Sequence, residues 1–456
     1  MKLNAKQKTT ILEGSLFHAM LVIAVPVVLS SMLQTMYNLT DTYWLGRIGT
    51  APLAAINLVT PVQSTVIHFG SGLTVAGSVM IAQFVGAGKQ QDASEMASQI
   101  FTCAMMFAMF FISLLLFLTP ALVDWLGADP ETHVHAVSYL RVVILDMPFL
   151  FAVNLYHSVR QAQGDTLRPL LLNLLGISLN LALDPLLMVV WHLGASGAAL
   201  ATVISKAVPA AVCFRLLFRK QETIHIERQW MRPQGEKLRN ILTIGLPTAL
   251  GGATMQLGFL LMSRNVFAYG QQAMAAYGIG NKVNTLISLP SNGIGSAVST
   301  IVGQNMGAGK TDRAEKGYHI GMISAVIFLL AGGLILSRPA VSTAIVRIFS
   351  DDEAVIAMAA DFLSLMAFWC WTNGILNATT GLFQGTGHTE VTMFSDVSRL
   401  WVYRFATLYV CETVLQLGVR SVWLSVVVSN GLAAAVLLIL YTTGLWRKNR
   451  VTLRRR

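Results

Sequence analysis

Charged residues are scarce in this chain, at 12% of 456 residues, about half the share found in soluble domains. Stretches without a full charge recur along the sequence, at 14–40, 48–88, 96–123, 240–263, 283–309, 362–389 and 421–446. Each is long enough to cross the apolar core of a bilayer as a helix, which takes about 20 residues. The composition therefore excludes an ordinary soluble domain and favours a multi-pass membrane protein.

These stretches also lack the period-two alternation of apolar and polar residues that a membrane β-barrel requires. The sequence predicts an all-α membrane protein with twelve helices, at roughly 15–44, 53–82, 94–119, 135–161, 169–190, 196–217, 240–268, 275–300, 317–340, 356–382, 394–416 and 422–445. No cleavage site follows the first apolar run, so we expect the first helix to stay in the mature protein. The few cysteines form no disulfide or zinc pattern: Cys103, Cys213, Cys370 and Cys411.

The net charge of +10 comes from basic residues in the loops and termini, and we do not interpret it as a nucleic-acid-binding surface. Basic residues gather in the N-terminus, in the central segment 218–239, around Lys310 and in the tail "WRKNRVTLRRR". Twelve helices place these segments on one side of a membrane and the acidic loops "GADPETH" and "SDDEA" on the other. This is the positive-inside distribution, which predicts that both termini are cytoplasmic and that the tail meets anionic lipid.

The chain repeats itself at one fixed offset, the separation between Pro26 and Pro247. Three further pairs share this offset: Leu53 with Met274, "GAGK" at 86–89 with "GAGK" at 307–310, and "QG" at 163 with "QG" at 384. We expect a six-helix bundle over 1–217, a cytoplasmic linker over 218–239, a second bundle over 240–445 and a basic tail over 446–456. Six helices per copy make the repeat parallel, with a pseudo-two-fold axis along the membrane normal.

The repeated "GAGK" is not a nucleotide-binding loop. The phosphate-binding motif needs glycine five residues before the G-K pair, and Gln83 and Gln304 occupy that position. We interpret both copies as tight turns between helices and expect neither a nucleotide nor a cofactor.

A stripe of polar residues marks the first copy. Gln34, Tyr37 and Asp41 share one face of the first helix, and Asn173, Asn180 and Asp184 share one face of the fifth. Thr202 adds a hydroxyl from the sixth helix. Acids within a membrane are costly and mark functional sites by default.

The second copy offers an internal comparison, because a polar group needed by the fold would be needed twice. At the offset of the repeat, the stripe is replaced by apolar or aromatic side chains or glycine: Met255, Gly258, Met262, Phe394, Trp401, Phe405 and Trp423. The difference favours a function for the first-half residues. The structural alternatives are an interfacial acid at Asp41 and a salt bridge of Asp184 with Lys206 or Arg404.

Two buried carboxylates can couple transport to a cation. Burial and a second nearby carboxylate both favour the protonated form, so the pair holds a proton in one environment and loses it in another. Asp41, Asn180, Asp184 and Thr202 also offer the oxygen ligands that Na⁺ prefers. The same residues serve either ion, and the sequence leaves both open.

Polar residues in the predicted second-half helices are less specific. They are either the lining of a substrate cavity or helix-to-helix hydrogen bonds, and they include Gln256, Asn281, Asn284, Asn373 and Asn377.

Taken together, these residues resemble the multidrug and toxic compound extrusion (MATE) family of cation-coupled antiporters. The resemblance spans nearly the whole chain and rests on "AVPVVLSSMLQTMYNLTDTYWLG", the duplicated Q-x-x-G-A-G-K, "QGDTLRP" and "NLALDPLL". It implies two six-helix bundles in a V, with a central cavity open alternately to either side. The resemblance is greatest to the prokaryotic branch whose cation site lies in the N-terminal half. It implies that Asp41, Asn180, Asp184 and Thr202 stand at the positions of that branch's cation network, with Tyr37 and Asn173 nearby.

Another branch uses acids in the seventh and tenth helices. Here the seventh helix carries Gln256 and no acid, and the tenth has only Asp361, near its start. The resemblance therefore implies an inner-membrane antiporter, not an enzyme, that exports amphipathic and often cationic compounds in exchange for H⁺ or Na⁺. We expect a monomer whose partners are small-molecule substrates and lipids. The alternatives are a flippase for a lipid-linked precursor, which Lys282, Arg399 and Arg404 would suit, and a dedicated metabolite exporter.

Overall fold

The computed structural model describes residues 11–48 and 50–451, except the side chains of 39, 41–43, 45–48 and 50–53. Within these limits the regular secondary structure is entirely helical, and the chain divides into two compact units. Residues 29–249 form the first unit, and residues 11–28 with 250–451 form the second. The first helix contributes to both, since the division falls inside it.

The first unit contains seven long helical stretches and the start of an eighth. They are α1 (Leu16–Ile48, shared), α2 (Thr50–Gly86), α3 (Gln90–Trp125), α4 (Pro130–Val143), α5 (Met147–Ala162), α6 (Leu167–Pro185), α7 (Gly194–Leu217) and α8 (Gly235–Phe267). A short 3₁₀ turn, Ile144–Asp146, joins α4 to α5, so that the two make one span of the chain.

The second unit begins within α8 and continues with eight further helices. They are α9 (Gln271–Gly307), α10 (Thr311–Leu336), α11 (Pro339–Val346), α12 (Glu353–Trp369), α13 (Trp371–Gly385), α14 (Thr389–Val397), α15 (Phe405–Tyr409) and α16 (Arg420–Thr442). Two wide π-helical turns, Ser398–Arg404 and Val410–Val414, interrupt the stretch that runs from α14 past α15.

Among the described residues, nine helical spans are long and apolar enough to cross a membrane. A tenth is the pair α12 and α13, which bends by 52° at Cys370. Many apolar side chains on these helices are exposed, for example Phe117 at 84%. Exposed apolar side chains in such number are expected where lipid, not water, surrounds a helix.

Each of the twelve predicted helices has a helical counterpart in the structure. Two of these counterparts fall outside the apolar spans: α9, which is rich in asparagine, serine and glutamine, and the interrupted stretch from Thr389 to Val414. The prediction of an all-α membrane protein is confirmed, although the eleventh helix is broken where an unbroken one was expected.

Both copies of "GAGK" form the tight turns that the sequence predicts. The helix before each copy ends at Gly86 or Gly307, and the next helix begins at the residue after the lysine. Gly88 and Gly309 take positive φ angles of 75° and 72°, which glycine adopts at little cost.

The segment after α7 packs against α3 and α5 of the same unit. Gln99, 1% exposed, donates from Nε2 to the carbonyl of Arg232 at 2.7 Å and accepts from the amide of Gln234 at 3.0 Å. Arg160 Nη2 pairs with Glu222 Oε2 at 2.9 Å. The predicted linker is therefore an ordered segment, held to the helices by side-chain hydrogen bonds to its backbone and by an ion pair.

Candidate functional site

Asn180 and Asp184 lie one turn apart on α6, and both are buried, at 1% and 0% exposure. Asn180 Nδ2 donates to Asp184 Oδ1 at 3.2 Å. Pro185 follows directly, and the helix continues as a wide π turn over Leu186–Val190. Proline lacks an N–H, so the regular hydrogen-bond ladder cannot pass through it unchanged. The acid therefore sits next to a change in helix geometry.

Tyr37 and Thr202 connect the first helix to α7. The Tyr37 hydroxyl and Thr202 Oγ1 are 3.4 Å apart, and Thr202 is 6% exposed. One turn before Tyr37, Gln34 Nε2 donates to Asn38 Oδ1 at 3.3 Å. The structure thus brings together polar groups from helices that lie far apart in the sequence.

A cavity of about 180 Å³ opens beside these groups within the first unit. Three of the predicted supporting residues line it: Gln34, Tyr37 and Asn173. Asn180, Asp184 and Thr202 are not among its lining residues, but Tyr37 links the cavity to Thr202 through the contact given above. Two lining residues that the sequence did not single out are Asn154 and His157.

Asp41 lies within the first helix, but its side chain is outside the described part of the structure. Its predicted pairing with Asp184 therefore remains a prediction.

Neither conceivable salt-bridge partner of Asp184 pairs with it. Lys206 Nζ lies 2.5 Å from Asp146 Oδ2, and Arg404 bonds to Ser429 and Asn430 in the second unit. Asp146 is a buried acid that the sequence interpretation missed. It lies inside the predicted fourth helix, 135–161, so the rule that an acid within a membrane helix marks a candidate site would have found it.

Five of the seven second-half counterparts of the polar stripe belong to one hydrophobic cluster. Met262 and Trp423, each 0% exposed, lie in its core, and Met255, Trp401 and Phe405 pack against it. Positions that carry Gln34, Asp41, Asn180, Asp184 and Thr202 in the first copy are therefore an ordinary apolar core in the second. The fold does not require polar groups at these positions.

A second cavity, of about 440 Å³, lies within the second unit. Its lining includes the predicted residues Asn281, Asn284, Asn373 and Asn377, together with Arg399 and Arg404. Gln256, the remaining predicted residue, is not part of the lining. No acid lines this cavity among the described residues.

The MatE family model matches this chain twice, over residues 26–186 and 247–410. The chain belongs to the MATE family of transporters. The two matches start at positions 26 and 247, so the family model finds the same offset as the repeated motifs. Members of this family are transporters, not enzymes.

Relatives of this MATE chain extend over nearly its whole length. A probable multidrug resistance protein, NorM of Thermotoga maritima, is 24% identical over 443 residues, covering 95% of this chain and 94% of the relative. The multidrug export protein MepA of Staphylococcus aureus is 27% identical over 380 residues, covering 82% and 83%.

Solved structures show the same fold. A MATE transporter crystallised in complex with MaL6 superposes with a TM-score of 0.90 at 25% identity, covering 96% of this chain and 98% of that one. An outward-facing MATE transporter of the MOP superfamily superposes with a TM-score of 0.89 at 24% identity, covering 96% of this chain and 97% of that one.

Proposed function

We propose that this MATE transporter is an antiporter that exports amphipathic, often cationic, organic compounds and is driven by H⁺ or Na⁺ moving inward. The observation that carries the proposal is the buried Asn180–Asp184 pair, whose counterpart in the repeated half is an apolar core. The relatives named as multidrug export and resistance proteins support this substrate class.

Asp184, with Asp41 on the first helix, is the proposed coupling site, together with Asn180 and Thr202. Coupling requires a site that prefers different occupants in two conformations, because a ligand shifts an equilibrium only by its differential affinity. An ionised carboxylate is costly where Asp184 lies, at 0% exposure, and a bound proton or Na⁺ removes that cost. The cation therefore favours the conformation that buries the acid most completely.

The cavity lined by Gln34, Tyr37 and Asn173 is the proposed place of substrate binding in the first half. Tyr37 contacts both the cavity and Thr202, so a change at the coupling site reaches the cavity wall through one side chain. Pro185 offers α6 a place to bend as the acid changes its protonation or occupancy. Alternating access would follow from this local change.

We also propose a cytoplasmic location for both termini, the linker 218–239 and the basic tail, on the basis of the positive-inside distribution. The protein would then lie in a prokaryotic inner membrane, as a monomer.

Efflux in proteoliposomes tests the coupling proposal. Rhodamine 123 transport would be followed under an imposed pH gradient and, separately, under an imposed Na⁺ gradient, which also distinguishes the two ions. Asp184→Asn and Asp41→Asn keep size and hydrogen bonding but remove the titratable charge. Each should abolish gradient-driven efflux while the protein still folds and still binds the dye.

Matched controls come from the repeated half. Met262→Leu and Phe405→Leu change the positions that correspond to Asp41 and Asp184 while keeping an apolar side chain, and both should transport at near wild-type rates. Full gradient-driven transport by both acid-to-amide variants would refute the proposal.

A further inference from the structure

Arg404 is a permanently charged side chain buried in the second unit, at 4% exposure. Its Nε donates to Ser429 Oγ at 3.1 Å and its Nη2 to Asn430 Oδ1 at 3.4 Å. The guanidinium carbon also lies 5.7 Å from the centre of the Phe259 ring. All three neighbours are neutral, so they satisfy hydrogen bonds but do not balance the charge.

Within the part of the chain that the structure describes, no carboxylate forms an ion pair with Arg404. The nearby Arg399 lies 3.2 Å from Asp396, and that pair is neutral overall. Arg404 therefore contributes a positive charge that no carboxylate among the described residues balances. Burying a charge without a counter-ion is strongly unfavourable, so buried charges in native proteins are normally paired or coordinate another group.

This unbalanced charge faces the 440 Å³ cavity of the second unit. A volume of that size is typical of sites that hold a small organic molecule. Besides Arg399 and Arg404, six asparagines form much of the wall: Asn281, Asn284, Asn292, Asn373, Asn377 and Asn430. The cavity is therefore roomy, hydrogen-bonding and net positive.

The hydrogen bonds fix which way two of these amides point. Arginine only donates, so the amide oxygen of Asn430 must face Arg404. The Asn430 nitrogen then donates to Asn373 Oδ1 at 3.2 Å. This chain of donors turns the oxygen of Asn373 toward Asn430, so its NH₂ group is the part that can donate to a further partner.

Asn373 also lies in the first turn of α13, directly after the 52° bend at Cys370. Its backbone N–H donates to the carbonyl of Cys370 at 2.9 Å, so what Asn373 offers the cavity is its side-chain amide. Arg404 and this amide are two features of the cavity wall that attract negative charge.

We propose that the cavity of the second unit binds an oxyanion, a carboxylate or phosphate on a polar organic body, with Arg404 as its counter-ion and Asn373 as a hydrogen-bond donor. This site goes beyond the proposed function, because it lies in the other repeat and selects the opposite charge. The oxyanion belongs either to a soluble organic acid or to a lipid headgroup.

Binding to the purified full-length protein in detergent tests the proposal, with fluorescence polarisation as the readout. Carboxyfluorescein and rhodamine 123 share a xanthene body but carry opposite charge. Wild-type protein should bind carboxyfluorescein saturably. Arg404→Gln should weaken that binding by at least about tenfold, while rhodamine 123 affinity stays within about twofold. Equal loss of both dyes, or no loss of carboxyfluorescein affinity, would overturn the proposal.

Two further variants guard against a folding artefact. Arg420→Gln removes an exposed arginine that pairs with Asp361 outside the cavity, and it should leave carboxyfluorescein affinity unchanged. Asn373→Asp keeps Arg404 but adds a carboxylate to the wall of the same cavity, so it should reduce carboxyfluorescein binding even if Arg404→Gln fails to fold. Unchanged binding by Asn373→Asp would contradict the site.

Competition distinguishes the two sources of the oxyanion. Displacement of the dye by inorganic phosphate or benzoate indicates a soluble anion, and displacement only by phosphatidylglycerol in nanodiscs indicates a headgroup. If the wild type binds none of these probes, the proposal fails. The readout needs no ion gradient, so its failure is separate from a failure of cation coupling at Asp184.

Discussion

Replacing Lys206 with methionine should destabilise the first unit through the acid that it leaves behind. Lys206 Nζ and Asp146 Oδ2 are 2.5 Å apart, and the side chain of Asp146 is 2% exposed. Removing one partner of a buried ion pair typically costs about 3–5 kcal/mol, because the other charge stays buried without compensation. Lys206 is 28% exposed, so water already reaches part of the pair, and we expect the lower end, about 3 kcal/mol.

Removing both charges should restore most of that stability. In Lys206→Met with Asp146→Leu, neither a buried charge nor an unpaired polar group remains, and replacing a buried pair by apolar groups of similar size is often nearly neutral. We expect the double variant to lie within about 1 kcal/mol of wild type. The contrast between the single and double variants is therefore the sharpest signature of this ion pair.

Unfolding of the purified protein in detergent, followed by tryptophan fluorescence against denaturant or heat, measures the order of stabilities. Lys282→Met is the matched control, because Lys282 is an exposed lysine on α9, and its loss should cost no more than about 0.5 kcal/mol. If the double variant were as unstable as Lys206→Met, the charge left on Asp146 would not be the cause of the loss, and the ion-pair reasoning would be wrong.

Two further outcomes follow from the topology and from one helix crossing. Single cysteines near Arg228 and Arg450 should react with membrane-impermeant reagents only from the cytoplasm; labelling from outside would reverse the proposed orientation. A Cβ on Gly72 would lie 2.2 Å from the Gly245 carbonyl oxygen. Gly72→Ala should therefore reduce the free energy of unfolding by about 1–3 kcal/mol, which a lower melting temperature would show. Gly278→Ala, with no atom within 4 Å of the new Cβ, should not.

Long apolar stretches, seven of them free of charge, were enough to predict the helices, because a bilayer leaves few other ways to satisfy the backbone. Prediction failed where a helix departs from the regular α form. The wide turn Ser398–Arg404 contains neither proline nor glycine, so the sequence carries no local sign of it. By contrast, the π turn at Leu186–Val190 directly follows Pro185.

Side-chain partners across the fold were harder to predict than helices. Tyr37 and Thr202 are separated by 165 positions, and Lys206 and Asp146 by 60. No spacing rule links such pairs, so the sequence offered Lys206 as a partner of Asp184 when its partner is Asp146. Periodicity finds residues on one helix face, as it did for Asn180 and Asp184, but it does not say which faces meet.

The internal repeat supplies part of the information that spacing lacks. Asp184 corresponds to Phe405 under the offset that relates Pro26 to Pro247, and Arg404, one position earlier, corresponds to Leu183. Each half therefore buries a charged side chain where the other half has an apolar one, and the two charges have opposite sign. Since one fold tolerates the apolar side chain at both positions, neither charge is a requirement of packing. This contrast supports both proposals, a cation at Asp184 and an oxyanion at Arg404.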